Sequence, residues 1–192
     1  MATASAPPQP PLTTQPLSPT AGFLSYLVPG LGQIVQGRVG KGLLFGVCIY
    51  TLFFYGLFLG TGSVTVDGET YRLTSNVYLP DTAEEPRDAL SRLATNLYNR
   101  PQFAGQFWVG VVAWPAVWQY MHFQKGVERH PFLGTFMREP NEASINAVQN
   151  ASDKRLELGW VYTVIAGVLN IMVIYDAVAG PAFVLGGAKK ED

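Results

Sequence analysis

Asn170 and Asp176 are polar residues inside the apolar run Glu157-Leu-Gly-Trp-Val-Tyr-Thr-Val-Ile-Ala-Gly-Val-Leu-Asn-Ile-Met-Val-Ile-Tyr-Asp176. If this run is a helix entering hydrocarbon near Gly159, Asn170 lies about 16 Å in, near the midplane, and Asp176 about 25 Å in, near the outer boundary. A carboxylate at the centre of a bilayer costs about 2.5–3.5 kcal/mol on insertion scales, and much less near the boundary. Two kinds of chemistry fit. Asn170 shares a helical face with Thr163, Ala166 and Gly167, so it can hydrogen-bond across a close helix contact. Alternatively, Asn170 and Asp176 line a polar path for an ion or small solute, together with Gln33, Gln36, Gln106 and Tyr162. The structural use is the favoured one.

Other chemistry-bearing residues lead to bland readings. Gly37-Arg-Val-Gly-Lys-Gly42 invites a phosphate loop, but Val35 stands where that loop needs Gly, and Gly42 where it needs Ser or Thr. The glycines suit a sharp turn instead. His122 and His130 have no carboxylate-rich surroundings, whereas zinc needs three or four convergent ligands. Cys48 is the single cysteine and lies in an apolar run, which excludes an internal disulfide. No set of nucleophile, base and orienting residue stands out, so neither an enzyme nor a cofactor is expected. The formal net charge of −1 argues against a nucleic-acid partner.

The elements that must position these residues follow from the hydropathy pattern. The 192 residues are 48% hydrophobic and only 14% charged, and the apolar residues are clustered. Residues 1–20 are rich in Pro, Ser, Thr and Ala and read as a disordered tail. No Lys or Arg precedes Arg38, so the charged start of a secretory signal is missing. Four hydrophobic stretches follow. Ala21–Gln36, interrupted by Pro29-Gly30, would rise only about 24 Å; it is either a kinked spanning helix or a re-entrant half-helix. Gly42–Gly60 reads as a spanning helix, with Gly42/Gly46 and Gly56/Gly60 presenting small residues for close helix contact. Phe103–Phe123 reads as a spanning helix kinked at Pro115, with Trp108, Trp118 and Tyr120 towards its ends. The fourth stretch runs from Gly159 to about Val184, with regular helix ending at Gly180-Pro181.

Between the second and third stretches, Ser63–Leu73 alternates around Asp67-Gly68, a strong hairpin signal. Thr82-Ala-Glu-Glu85 with Pro86 suggests a helix start. Leu90, Leu93, Ala94 and Leu97 then form an apolar stripe, which packs on the hairpin or on a membrane surface. Residues 61–102 are thus expected to be a small α+β cap. Residues 124–158 are a polar loop in which Asn141 could start a helix, and residues 185–192 form a tail. Arg38 and Lys41 crowd the first turn, and Lys125, Arg129, Arg138, Lys154 and Arg155 mark the 124–158 loop; the cap carries six acids against four arginines. The positive-inside rule then puts turn 37–42 and loop 124–158 in the cytoplasm and the cap outside.

Tyr26-Leu-Val-Pro-Gly-Leu-Gly-Gln-Ile-Val-Gln-Gly-Arg-Val-Gly-Lys-Gly-Leu-Leu-Phe45 resembles the hairpin of the two-transmembrane-helix domain family, which usually has Tyr or Phe where Ile34-Val35 stand. With Glu-Leu-Gly-x-x-Tyr-Thr-x-x-Ala-Gly-x-x-Asn-x-x-x-x-x-Asp-Ala from Glu157 to Ala177, residues 21–182 resemble an uncharacterised family of small bacterial inner-membrane proteins, a domain of unknown function. The resemblance implies a multi-pass inner-membrane protein and supplies no catalytic residues. The expected fold is an all-α polytopic membrane protein of four hydrophobic helices, the first short and kinked or re-entrant, with an extracytoplasmic α+β cap. The expected function is a structural or accessory scaffold. Its partners would be lipid and a second copy or another membrane protein, and its packing and turn residues Pro29, Gly30, Gly32, Gly37, Gly40, Gly42, Gly46, Gly56, Gly60 and Gly167. The alternative is a transport component using Asn170 and Asp176.

Overall fold

The computed structural model describes residues 17–80, 88–122, 133–151 and 154–180. Most of the N-terminal tail, the Thr82–Glu85 pattern, Lys125, Arg129, His130 and the C-terminal tail lie outside them. The fold is mostly helical: α1 (Pro19–Leu27), α2 (Leu31–Val35), α3 (Val39–Leu59), α4 (Ala89–Asn99), α5 (Pro101–Phe107), α6 (Trp114–His122), α7 (Glu142–Asn150) and α8 (Lys154–Ala179), with strands β1 (Gly62–Val66) and β2 (Glu69–Leu73).

Among the described residues, two helices are long and apolar enough to cross a membrane. The most apolar windows of α3 and α8 have mean hydropathies of 2.0 and 1.8. Only 22% and 33% of those windows is buried inside the chain, so most of their apolar surface faces outward. Ile49, Phe53 and Leu57 form the buried stripe of α3, at a spacing of one helical turn, while Leu44, Val47 and Phe58 are exposed. The pair is antiparallel. Gly56 and Gly60 near the end of α3 meet Gly159 near the start of α8, and Arg38 and Lys41 at the start of α3 meet Asp176 near the end of α8. α8 stops at Gly180, whose φ of 73° and N–H bond to Asp176 O close it.

The first and third hydrophobic stretches do not run through. α1 rises along α8 from Ser18, whose N–H bonds Val178 O, to Ser25, whose carbonyl meets Asn170. The chain reverses at Pro29-Gly30, where Gly30 has φ 85°. α2 then returns, and Gln36 reaches Ala177 O at 2.7 Å. Of the two expectations for Ala21–Gln36, this geometry is the re-entrant one.

The single kinked helix expected over Phe103–Phe123 is a second hairpin. α5 runs along the first half of α8 and ends at Trp108. Gly110, at φ 100°, turns the chain through a short 3₁₀ turn, Val111–Ala113, into α6. α6 returns, so that Gln119 bonds Gly134 O and Phe136 O, both at 3.0 Å. Pro115 is the second residue of α6, where its missing N–H breaks no helical bond. The break lies at Gly110 instead. Trp108 therefore stands at the hairpin tip and not at an end of the bundle.

This reversal corrects the expected layout of four spans. Because the third stretch turns back, residues 133–151 join the same end as the cap. Strands β1 and β2 pair antiparallel around Asp67 (φ 53°) and Gly68 (φ 85°), the expected type I′ turn. α7 packs on both strands, and Thr74 Oγ1 donates to Thr135 O at 3.0 Å. The cap and the described part of the 124–158 loop thus form one unit and cannot lie on opposite faces of a membrane. α7 starts after Asn141, whose Oδ1 accepts Ala143 N–H, as its sequence suggested. α4 is capped by Asp88, which accepts Ser91 N–H. Its stripe does not pack on the hairpin: Leu90 and Leu93 are exposed.

Candidate functional site

The face of α8 that carries Thr163, Ala166, Gly167 and Asn170 is buried along its length, and Val173 and Ala177 extend it. Small residues make that possible. A Cβ on Gly167 would collide with Gly105 O, so α5 lies against α8 at backbone distance. The α1–α2 hairpin covers the second half of the same face.

Asn170 stands where the two hairpin tips meet. It is fully buried, and its Nδ2 donates to Ser25 O at 3.1 Å and to Trp108 O at 2.9 Å. Both carbonyls need it. The helical partner of Ser25 O would be the N–H of residue 29, but Pro29 has none. Trp108 closes the last turn of α5, where carbonyls have no intrahelical donor. One amide side chain therefore serves two interrupted helices. Around it, Tyr26 packs on Phe107 and Trp108, and Trp114 Nε1 donates to the Tyr26 hydroxyl at 3.2 Å. Gly110 fits against the Tyr26 and Leu27 carbonyls with no room for a Cβ.

Polar contacts extend from Asn170 in both directions. Ser25 Oγ donates to Gln33 Oε1 at 3.0 Å, and Gln33 Nε2 donates to Val173 O at 2.9 Å and to Asp176 at 3.1 Å. Asp176 also pairs with Arg38 at 2.7 Å and Lys41 at 2.6 Å. The expected position of Asp176, across the bundle from the cationic turn, is thus corrected: the antiparallel pairing of α3 and α8 brings acid and cations together. Towards the cap, Gln106 Nε2 bonds Thr163 Oγ1 at 2.8 Å and Asn76 O at 3.2 Å. Of the residues expected to line a path, Gln33, Gln36, Gln106, Asn170 and Asp176 share this column. Tyr162 stacks edge-on with Tyr55 instead.

Most of the singled-out glycines pack within the chain. Gly30 faces Gly42, Gly32 faces Ala21 and Ser25, Gly56 faces Gly159 and Thr163, and Gly60 faces Asn76 and Gly159. The Gly56/Gly60 face is therefore already occupied and cannot receive another chain. Gly46 touches Pro29 O, yet with Gly42 it also borders an open apolar groove lined by Tyr50, Phe54 and Tyr55. Gly37 and Gly40 have open space where a side chain would begin, so they serve the turn and not packing.

The sequence reading missed Ser25, Asn76 and Arg100. Ser25 had a readable signal, since Pro29 four residues later deprives its carbonyl of a donor; Asn76 and Arg100 had none. The Arg100 guanidinium carbon lies over the Tyr78 ring, 3.6 Å from its centroid, and Arg100 donates to Asn76 O at 2.7 Å. Burial pushes its pKa below the ordinary value, opposed by Tyr78 and Glu139; burial likewise raises that of Tyr78. Both residues border a cavity of about 380 Å³ between the cap and the start of α8.

No curated protein and no solved structure matches the chain. A family match covers residues 20–190, taking in both hairpins, the cap and both long helices. In agreement with the resemblance read from the sequence, the chain belongs to a family of unknown function (DUF6677).

Proposed function

We propose that this chain is an integral membrane scaffold or accessory protein. In this reading α3 and α8 span the bilayer, and the two hairpins enter it from opposite faces. At about 1.5 Å per residue the two helices reach about 31 and 39 Å, enough for a hydrocarbon core of about 30 Å. Phe58 and Met172, 72% and 66% exposed, belong in lipid. The observation that carries the structural role is the use of the polar column. Asp176 is matched by two cations, and Asn170 is spent on two backbone carbonyls. Such groups tie helices together. Arg138, Lys154 and Arg155 stand at the cap end with the arginines of the cap, against Arg38 and Lys41 at the other, so the positive-inside rule no longer makes the cap the outward end.

A second copy or another membrane protein then associates through the Gly42/Gly46 groove. Cross-linking in lipid tests this: Gly46→Leu should abolish association while the helix content stays. Unchanged cross-linking of that variant defeats the scaffold reading. Release into the supernatant after alkaline carbonate, without detergent, defeats the membrane reading.

One observation favours the alternative, a transport component. Asn170 Oδ1 and Gln106 Oε1 are buried in the same column without a partner among the described residues, and unpaired acceptors suit a passing ion or proton donor. Reconstituted vesicles that leak no ion or small solute, with or without Asn170→Ala, remove it.

A further inference from the structure

We infer that the cavity beneath the cap binds a phosphodiester that carries an ammonium group, the chemistry of an aminoalcohol phospholipid headgroup. The inference rests on the membrane reading for its position. Gly60, which caps the end of α3, and Lys154, Leu156, Glu157 and Trp160, in the opening turns of α8, border the cavity. It therefore lies where the two long helices leave hydrocarbon, at headgroup depth.

Its charges suit a zwitterion. Arg100 and Lys154 offer two cations to a phosphate, and the guanidinium is already oriented by the Tyr78 ring and Asn76 O. Glu157, one helical turn after Lys154, is the acid in the lining, beside Trp160. A carboxylate with an adjacent indole is a receptor for ammonium. Lys154 and Glu157 make no ion pair with each other or with another described residue, so both are available. A phosphate alone would meet Glu157 as a repulsion; a zwitterion uses it. The volume of about 380 Å³ falls in the range of small-molecule sites.

Native mass spectrometry of the full chain from nanodiscs of phosphatidylethanolamine and phosphatidylglycerol in equal parts tests the site. The expected result is about tenfold preferential retention of one phosphatidylethanolamine. That preference should vanish in Glu157→Gln, on the exposed side of the lining, and in Ile145→Trp, which fills the cavity. Arg100→Lys should weaken retention, because a point charge replaces the planar fork. Equal retention of both lipids, or retention indifferent to Ile145→Trp, overturns the inference for lipid. A second arm adds glycerophosphoethanolamine to the protein in detergent. Thermal stabilisation by it, lost in Glu157→Gln, identifies the free headgroup as a ligand; lipid retention without it identifies the membrane as the source. Absence of both effects overturns the site itself. The soluble arm also works on a chain that needs no membrane, so failure of the site and failure of the membrane reading give different results.

Discussion

The α1–α2 and α5–α6 hairpins make the same move from opposite ends of the α3–α8 pair. Each goes partway along α8, reverses at a glycine with positive φ, and returns. Their fastenings differ. α2 is tied down by side chains, with Gln33 on Val173 O and Asp176 and Gln36 on Ala177 O, and the chain just after it is held by Arg38 and Lys41, at the start of α3, on Asp176. α5 is tied mainly by proximity, with Gly105 against Gly167 and one side-chain bond from Gln106 to Thr163. A charged fastening works at the open end of a bundle, where side chains stay partly solvated; Lys41 is 43% exposed there. Farther in, an unmatched charge is costly, and close backbone contact with neutral hydrogen bonds takes over. Asn170 belongs to both systems, because it is the residue on which both tips end.

The comparison predicts a graded set of failures. Gly167→Leu should do the most harm, about 3 kcal/mol or more, because no neighbouring side chain can move to admit it; the obstacle is Gly105 backbone. Gly40→Ala, in open space, is the control and should cost nothing measurable. Unfolding of both variants in mixed micelles checks the pair, and equal stability would break the claim that proximity fastens α5. Asn170→Leu comes next at about 2 kcal/mol, since two buried carbonyls lose their donor. Amide exchange should rise at both tips, around Tyr26–Leu31 and Val109–Val112; a rise at one tip alone would show that the hairpins are fastened independently.

Asp176→Asn should cost about 1–2 kcal/mol, less than a fully buried pair because the cluster is partly exposed. Exchange should rise in α2 and at the start of α3 and stay unchanged in α5 and α6. The smallest effect is acid. Hydrogen bonds from the Ser91 side chain and its N–H hold the Asp88 carboxyl below its ordinary pKa. A group whose pKa falls on folding stabilises fully above its unfolded value and loses that stabilisation as the pH drops through the folded one. Below about pH 4 the start of α4, which leads into α5, should therefore fray, visible as loss of helical chemical shifts over Ala89–Ser91. The α1–α2 hairpin contains no acid in its own helices but leans on Asp176 through Gln33, so the acid fraying of Ala89–Ser91 should persist in Asp176→Asn, and its loss in that variant would trace it to Asp176 instead.

Several elements could be read directly. The two long helices, the Asp67-Gly68 hairpin, the helix carrying Leu90 and Leu97, and the start at Asn141 each depend on neighbours in sequence. The buried face of α8 was also legible, because four small or polar residues at helical spacing mark a face whatever packs on it. The reversal inside Phe103–Phe123 was not. Pro115 attracts the eye as a breaker, yet it lies harmlessly in a first turn, while Gly110 resembles any glycine of an apolar helix until the chain turns there. That one misreading carried the layout with it, since it placed the 124–158 region across a membrane from the cap and Asp176 across it from Arg38.

Composition and hydropathy were enough to mark out the two helices long and apolar enough to cross a membrane, because transfer of uncharged stretches out of water is a sum over residues and depends little on arrangement. Local spacing likewise determined which segments coil and which turn. Only the tertiary structure decided which ends meet: whether a glycine is a helix residue or a hairpin tip, and whether an acid faces a cation or a path. Those outcomes depend on contacts between distant parts of the chain, Gly110 with Tyr26 and Asp176 with Arg38 among them, and no local energy term encodes them.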